Sequence, residues 1–77
     1  MNNQMGDLIA ENLNLDLFFA MSMEKNFVRL LAHYSEKVMN HLAEKSFEPK
    51  DRIYEDDEEK LEFENENGNI RIVVFYK

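Results

Sequence analysis

Asn67-Gly68 separates a run from Leu61 to Glu66, in which Leu61 and Phe63 alternate with glutamates, from a largely apolar run from Ile70 to Tyr76 that does not cleanly alternate. This dipeptide is the favoured centre of a two-residue hairpin loop, whose two residues both take positive φ. A turn centred there fixes the register, so that paired positions sum to 135. Phe63 then faces Ile72 and Leu61 faces Val74 on one side. On the other side Glu64 faces Arg71, and Glu58 reaches towards Lys77. A slip of one residue would undo every one of these matches. An antiparallel hairpin over about 60–76 is therefore what any fold of this chain must accommodate.

Ser22 to Lys45 carries a second periodicity. Stepping 100° per residue from Phe27 puts Leu30, Leu31, Tyr34, Val38 and Leu42 within an arc of about 120°, with Arg29, Glu36 and Asn40 opposite. The spacing predicts an amphipathic helix over about 22–46. Ser22 would cap it, Glu24 would sit in its first turn, and Ser46-Phe47 would end it before Pro49. Beside the first stripe runs a second, made of Val28, Ala32, Ser35, Met39 and Ala43. Together the stripes are wider than one buried contact needs. Such a helix would touch a sheet on its large-residue side. Its small-residue side would meet either the N-terminal segment or a helix of another protomer.

Asn12 to Leu17 alternates like a half-buried strand, whereas Asp7 followed by Leu8-Ile9-Ala10-Glu11 reads as a capped short helix. The preferred reading is a helical turn, then an extended or second helical piece ending at Phe18-Phe19, with residues 1–6 flexible. The expected fold class is α+β. One long amphipathic helix packs on a C-terminal antiparallel β-hairpin, and the N-terminal segment, short helix or strand, completes the layer. Seventy-seven residues make a single small domain, which buries only roughly 60–65% of its unfolded surface. No cysteine is present to staple it or to ligate a metal through thiolate.

The net charge is −7, and its location is informative. Glu55, Asp56, Asp57, Glu58, Glu59, Glu62, Glu64 and Glu66 are opposed within their segment only by Lys60, which gives eight acids against one base. The remaining eight acids and eight bases cancel. Without a cluster of lysine and arginine, direct binding to nucleic acid or to an anionic membrane is disfavoured. A larger protein with a basic surface is the natural partner. Three readings of the acidic segment compete: a solvated hairpin face, a working surface, or a disordered leader. The alternation of Leu61 and Phe63 with Glu62, Glu64 and Glu66 favours strand over disorder. Such a strand would project carboxylates at roughly 6.5–7 Å intervals, a spacing that a groove built for phosphates could accept.

On the facing strand, Ile72, Val74 and Tyr76 are directed to the helix, which leaves Val73 and Phe75 outside. One covered face does not require apolar residues there. Either the loop over 49–57 or a second molecule is expected to cover them. A hairpin of two strands is marginal by itself, so a third strand is expected from the N-terminus or a neighbour.

Catalytic and metal chemistry find no pattern to rest on. The three serines lack a glycine-flanked elbow, and two glycines cannot form a phosphate-cradling loop. H-x-x-E-K occurs twice, at His33–Lys37 and His41–Lys45. On one helix those histidines would stand roughly 12 Å apart, too far to share an ion. No cofactor is expected. No secretory leader is expected from MNNQMGDLIAENLNLDLFF, and no apolar run approaches the ~18–20 residues that span a bilayer, so the expected setting is cytoplasmic. The function these features point to is a non-enzymatic acidic binding protein. It would be an inhibitor whose acidic face occupies a basic, nucleic-acid-binding site. The alternative is a homodimeric interaction module of the antitoxin, immunity or adaptor type. That module would act through an apolar surface of Val28, Ala32 and Met39, or of Val73 and Phe75.

Overall fold

Ile70 to Phe75 is nearly continuous in apolar residues, a pattern of strands with neighbours on both edges and cover on both faces. The computed structural model, which describes residues 12–76, places it at the centre of a five-stranded sheet. A 3-10 turn (Leu15–Leu17) leads into β1 (Ala20–Met23) and β2 (Val28–His33). Then come α1 (Glu36–Glu44), β3 (Glu48–Glu55), β4 (Glu58–Glu64) and β5 (Ile70–Phe75). The strand order is β1-β2-β5-β4-β3. Only β2 and β5 run parallel, and the chain between them passes through α1 and the β3–β4 hairpin.

The expected long helix over 22–46, packed on a lone hairpin, is not what the chain forms. Its first half is a β-hairpin: Glu24 N–H donates to Phe27 C=O at 2.9 Å, and Ala20–Met23 pairs with Val28–Leu31. Residues 28–33 satisfy both periods. Val28, Leu30 and Ala32 are buried while Arg29, Leu31 and His33 are not, which is strand alternation. The demand of β5 for a second neighbour decides between the two, and β2 supplies it in register from Val28↔Ile70 to His33↔Phe75.

Helix α1 is only nine residues long, with Ser35 rather than Ser22 as its cap. The Ser35 hydroxyl accepts from Val38 N–H at 3.1 Å. Its C-terminus closes in a Schellman arrangement: Phe47 N–H donates to Leu42 C=O at 2.9 Å and Ser46 N–H to Ala43 C=O at 3.1 Å. Ser46 takes the left-handed position with φ +62°, and Phe47 and Leu42 are both buried.

The C-terminal hairpin keeps the expected register. Leu61 faces Val74, Phe63 faces Ile72 and Glu64 faces Arg71. Its loop is different. Gly68 has φ +76° but Asn67 does not have positive φ. The strands are joined through Asn65 N–H to Ile70 C=O and Gly68 N–H to Asn65 C=O, both at 3.1 Å. This longer loop is still centred between residues 67 and 68, so the pair sum is unchanged. Both residues of a two-residue loop take positive φ at Asp56 (49°) and Asp57 (65°), between β3 and β4.

The core lies on one face of the sheet. Val28, Leu30 and Ala32 of β2, Ile70, Ile72 and Val74 of β5, and Phe63 of β4 are buried with Val38, Leu42 and Phe47 from the helical side. Asn14 caps the 3-10 turn through its side chain, and its N–H donates to His41 Nε2 at 3.1 Å. The turn is thereby tied to the exposed flank of α1. The expectations of flexibility over 1–6, of a capped helix at Asp7–Glu11 and of a pairing of Glu58 with Lys77 fall on residues outside those described.

Candidate protein-binding surface

The arm formed by β3 and β4 carries the charge. From Glu48 to Glu66 there are ten acids and three bases, again a balance of −7. β3 is the sheet's outer strand, exposed along its length except at Ile53. Residues 49–57, expected as a loop, are thus mostly strand and turn. Only Arg52-Ile53-Tyr54 hinted at this in sequence, because an edge strand exposed on both faces needs no apolar alternation. The missed signal was Asp56-Asp57, an acidic pair able to take positive φ between two runs of matching length.

The eight acids of the segment do not form one open row. Glu62 is buried, with its Oε2 3.3 Å from Arg29 Nε. Glu64 pairs with Arg71 at 3.2 Å and with Lys50 at 3.3 Å. Lys60 lies 3.4 Å from Glu55 and 3.5 Å from Glu58. Glu59 projects to the other face, where Arg52 Nη1 meets it at 2.7 Å and approaches the Tyr54 hydroxyl at 3.4 Å. Those contacts, the tyrosine's first and then the glutamate's, hold the Arg52 guanidinium protonated even more firmly than usual. The expected phosphate-like row along Glu62, Glu64 and Glu66 is therefore neutralised at its first two members. The bases responsible come from three other strands, so only the Glu64–Arg71 contact was foreseeable.

Open carboxylates lie elsewhere on the arm. Glu48, Asp51, Asp56, Asp57 and Glu66 are exposed and have no ion-pair partner among the described residues. Glu48 and Glu66 mark the base of the arm, Asp51 its middle, and Asp56-Asp57 its tip. Base and tip are about 23 Å apart at the rise of an extended strand.

The apolar residues expected to form an interface have little surface to give. Val28 and Ala32 are fully buried strand residues. Val73 is also buried, and its cover comes from its own sheet: it sits in register between Leu31 and Glu62, beneath the Arg29–Glu62 pair. Phe75 is half-buried under Lys60, whose Nζ is 5.2 Å from the ring centroid, and beside Phe19 at 5.7 Å. Neither the loop nor a second molecule is needed to cover these two residues. Met39 is half-buried on α1, with its Sδ 4.0 Å from the Tyr76 hydroxyl. Exposed apolar surface lies instead near β1, at Leu15, Phe19, Met21 and Met23.

The two H-x-x-E-K motifs are separated by the fold. His33 ends β2 and stacks on Phe19 at 4.4 Å, while His41 lies on α1. Burial, and then Lys45, hold the His41 imidazole below its ordinary pKa, with Glu44 opposing. Among the described residues no group of three histidines or carboxylates is arranged to hold a metal ion. No helix among them is long and apolar enough to cross a membrane.

Comparison with protein-family models, curated proteins and solved structures finds no match. The functional reading rests on the geometry of the arm.

Proposed function

We propose that this is a non-enzymatic, cytoplasmic acidic binding protein whose β3–β4 arm docks on a basic surface of a larger protein. One observation carries the reading: a net −7, equal to that of the whole chain, lies between Glu48 and Glu66. This segment is the β3–β4 hairpin at the sheet's edge and the loop that follows it, where five exposed carboxylates have no ion-pair partner among the described residues. Charge concentrated in this way steers encounter with a cationic surface and strengthens as salt is lowered. A basic site that otherwise holds nucleic acid fits such an arm, and its occupation would make the protein an inhibitor. The contact falls on the β3 edge and the Asp56-Asp57 tip, not on Glu62 and Glu64.

Affinity capture tests this with wild type beside an Asp51→Asn/Asp56→Asn/Asp57→Asn variant, at low and high salt. A partner released both by salt and by the variant supports the reading. A partner retained equally by both baits at either salt overturns it. That outcome would favour the homodimeric or apolar alternative, now located at Phe19, Met21 and Met23.

A further inference from the structure

Among the described residues, the backbone of β3 has one side without a partner strand. Tyr76 N–H donates to Glu59 C=O at 2.9 Å, so the backbone groups of Glu59 face β5. In an antiparallel ladder the residues that bond a given neighbour alternate. Tyr54, paired with Glu59, and Arg52, paired with Leu61, therefore aim their N–H and C=O groups away from β4, at the open edge. Pro49 and the irregularity between Pro49 and Asp51 end this edge on one side, and the Asp56-Asp57 turn ends it on the other. What remains is Asp51 to Glu55. Asp51, Ile53 and Glu55 line one face of it, and Arg52 and Tyr54 the other.

Resting on the reading above, we propose that this edge accepts an extended, lysine- or arginine-bearing segment of the partner as a sixth strand. Charge complementarity selects the occupant. An added strand would place cationic side chains opposite Asp51 and Glu55, and an aliphatic one between them opposite Ile53. Arg52 does not repel them, because it is turned to the other face and held by Glu59 at 2.7 Å. Lys60, which shares the face of Asp51 and Glu55, is itself divided between Glu55 at 3.4 Å and Glu58 at 3.5 Å. Tyr54, 68% exposed, offers a ring on that face for a guanidinium or an aliphatic stem. A second copy of β3 would bring Glu48, Asp51 and Glu55 against the same acids, so the charge that admits a cationic strand rejects self-pairing. Backbone hydrogen bonds give such an addition its affinity, and the flanking side chains give its specificity.

The test is a titration of the isotope-labelled full chain with a capped peptide alternating threonine with lysine, valine and lysine. It is run beside the same peptide N-methylated at alternate amides on its edge-facing side. We expect the unmethylated peptide to slow exchange of the Arg52 and Tyr54 amide protons and to bind about tenfold more tightly than the methylated one. Equal binding by both peptides overturns the added strand while leaving the acidic arm as a cation-binding surface. Absence of binding by either peptide at low salt overturns the added strand and counts against the arm itself.

Discussion

Glu62 reaches over the central strand to Arg29, its Oε2 3.3 Å from the guanidinium Nε, and the pair roofs Val73. Arg29 stands directly opposite Arg71, a like-charge cross-strand pair that is unfavourable unless compensated. Compensation comes from Glu62 on one arginine, Glu64 on the other, and the Phe27 ring, whose centroid lies 5.1 Å and 4.1 Å from the two guanidinium carbons. Around Val73 and the two arginines, the face without a helix is thus closed by ion pairs and the Phe27 ring, with Phe19, His33 and Phe75 packed farther along it.

Removing one member of that closure has a cost that an exposed acid does not. Glu62→Ala leaves Arg29 facing Arg71 with less counter-charge, over a newly exposed valine. A loss of about 1–2 kcal/mol is expected. Glu58→Ala, whose carboxylate is half exposed, should stay within about 0.5 kcal/mol of wild type. Urea unfolding of the two variants side by side checks the contrast.

Two of the turns that hold left-handed residues other than glycine, at Ser46 and at Asp56-Asp57, can be improved. Ser46 at φ +62° occupies the position after α1 that glycine favours, so Ser46→Gly should stabilise by about 1 kcal/mol. Asp56→Asn/Asp57→Gly supplies the preferred dipeptide at the β3–β4 tip and should add a similar amount. Both are read as upward shifts of the urea midpoint with unchanged m-value.

The difference between the expected and observed folds traces to particular residues. The register of Phe63 with Ile72 and Leu61 with Val74 was legible from cross-strand pairing about Asn67-Gly68, although the loop there is longer than the expected two-residue turn and keeps only its centre. The segment Phe27 to Tyr34 was not legible locally. Its apolar residues fit a helical arc and a strand alternation equally, and only the tertiary demand of β5 for a second neighbour resolves them. Ser35, which the helical arc placed inside the expected helix, becomes the cap because β2 ends at His33 and the helix begins only at Glu36. The acidic segment showed its charge but not its pairing, since Arg29 and Lys50 reach Glu62 and Glu64 only once the strand order is known.

The lowered pKa of His41 makes stability depend on pH. Its Nε2 accepts the Asn14 N–H and so must be unprotonated, while Nδ1 faces Glu44 at 3.9 Å and Lys45 lies nearby. Folding favours the neutral ring. Its contribution is complete above the ordinary value of 6.5 and is lost as the pH falls through that value towards the depressed folded one. Unfolding free energy should therefore decline between about pH 7 and pH 5, with a shallower decline in His41→Gln. Denaturation series across that range provide the check.

The central claim is that the working acids are the open ones on the arm, not the paired ones on β4. Two double variants make the same change in charge: Asp56→Asn/Asp57→Asn at the tip, and Glu62→Gln/Glu64→Gln within the ion pairs. Quantitative partner capture at low salt, with each bait first shown to be folded, compares them directly. The account predicts that the tip variant loses the partner while the ion-pair variant retains it. Loss with Glu62→Gln/Glu64→Gln and retention with Asp56→Asn/Asp57→Asn would contradict it.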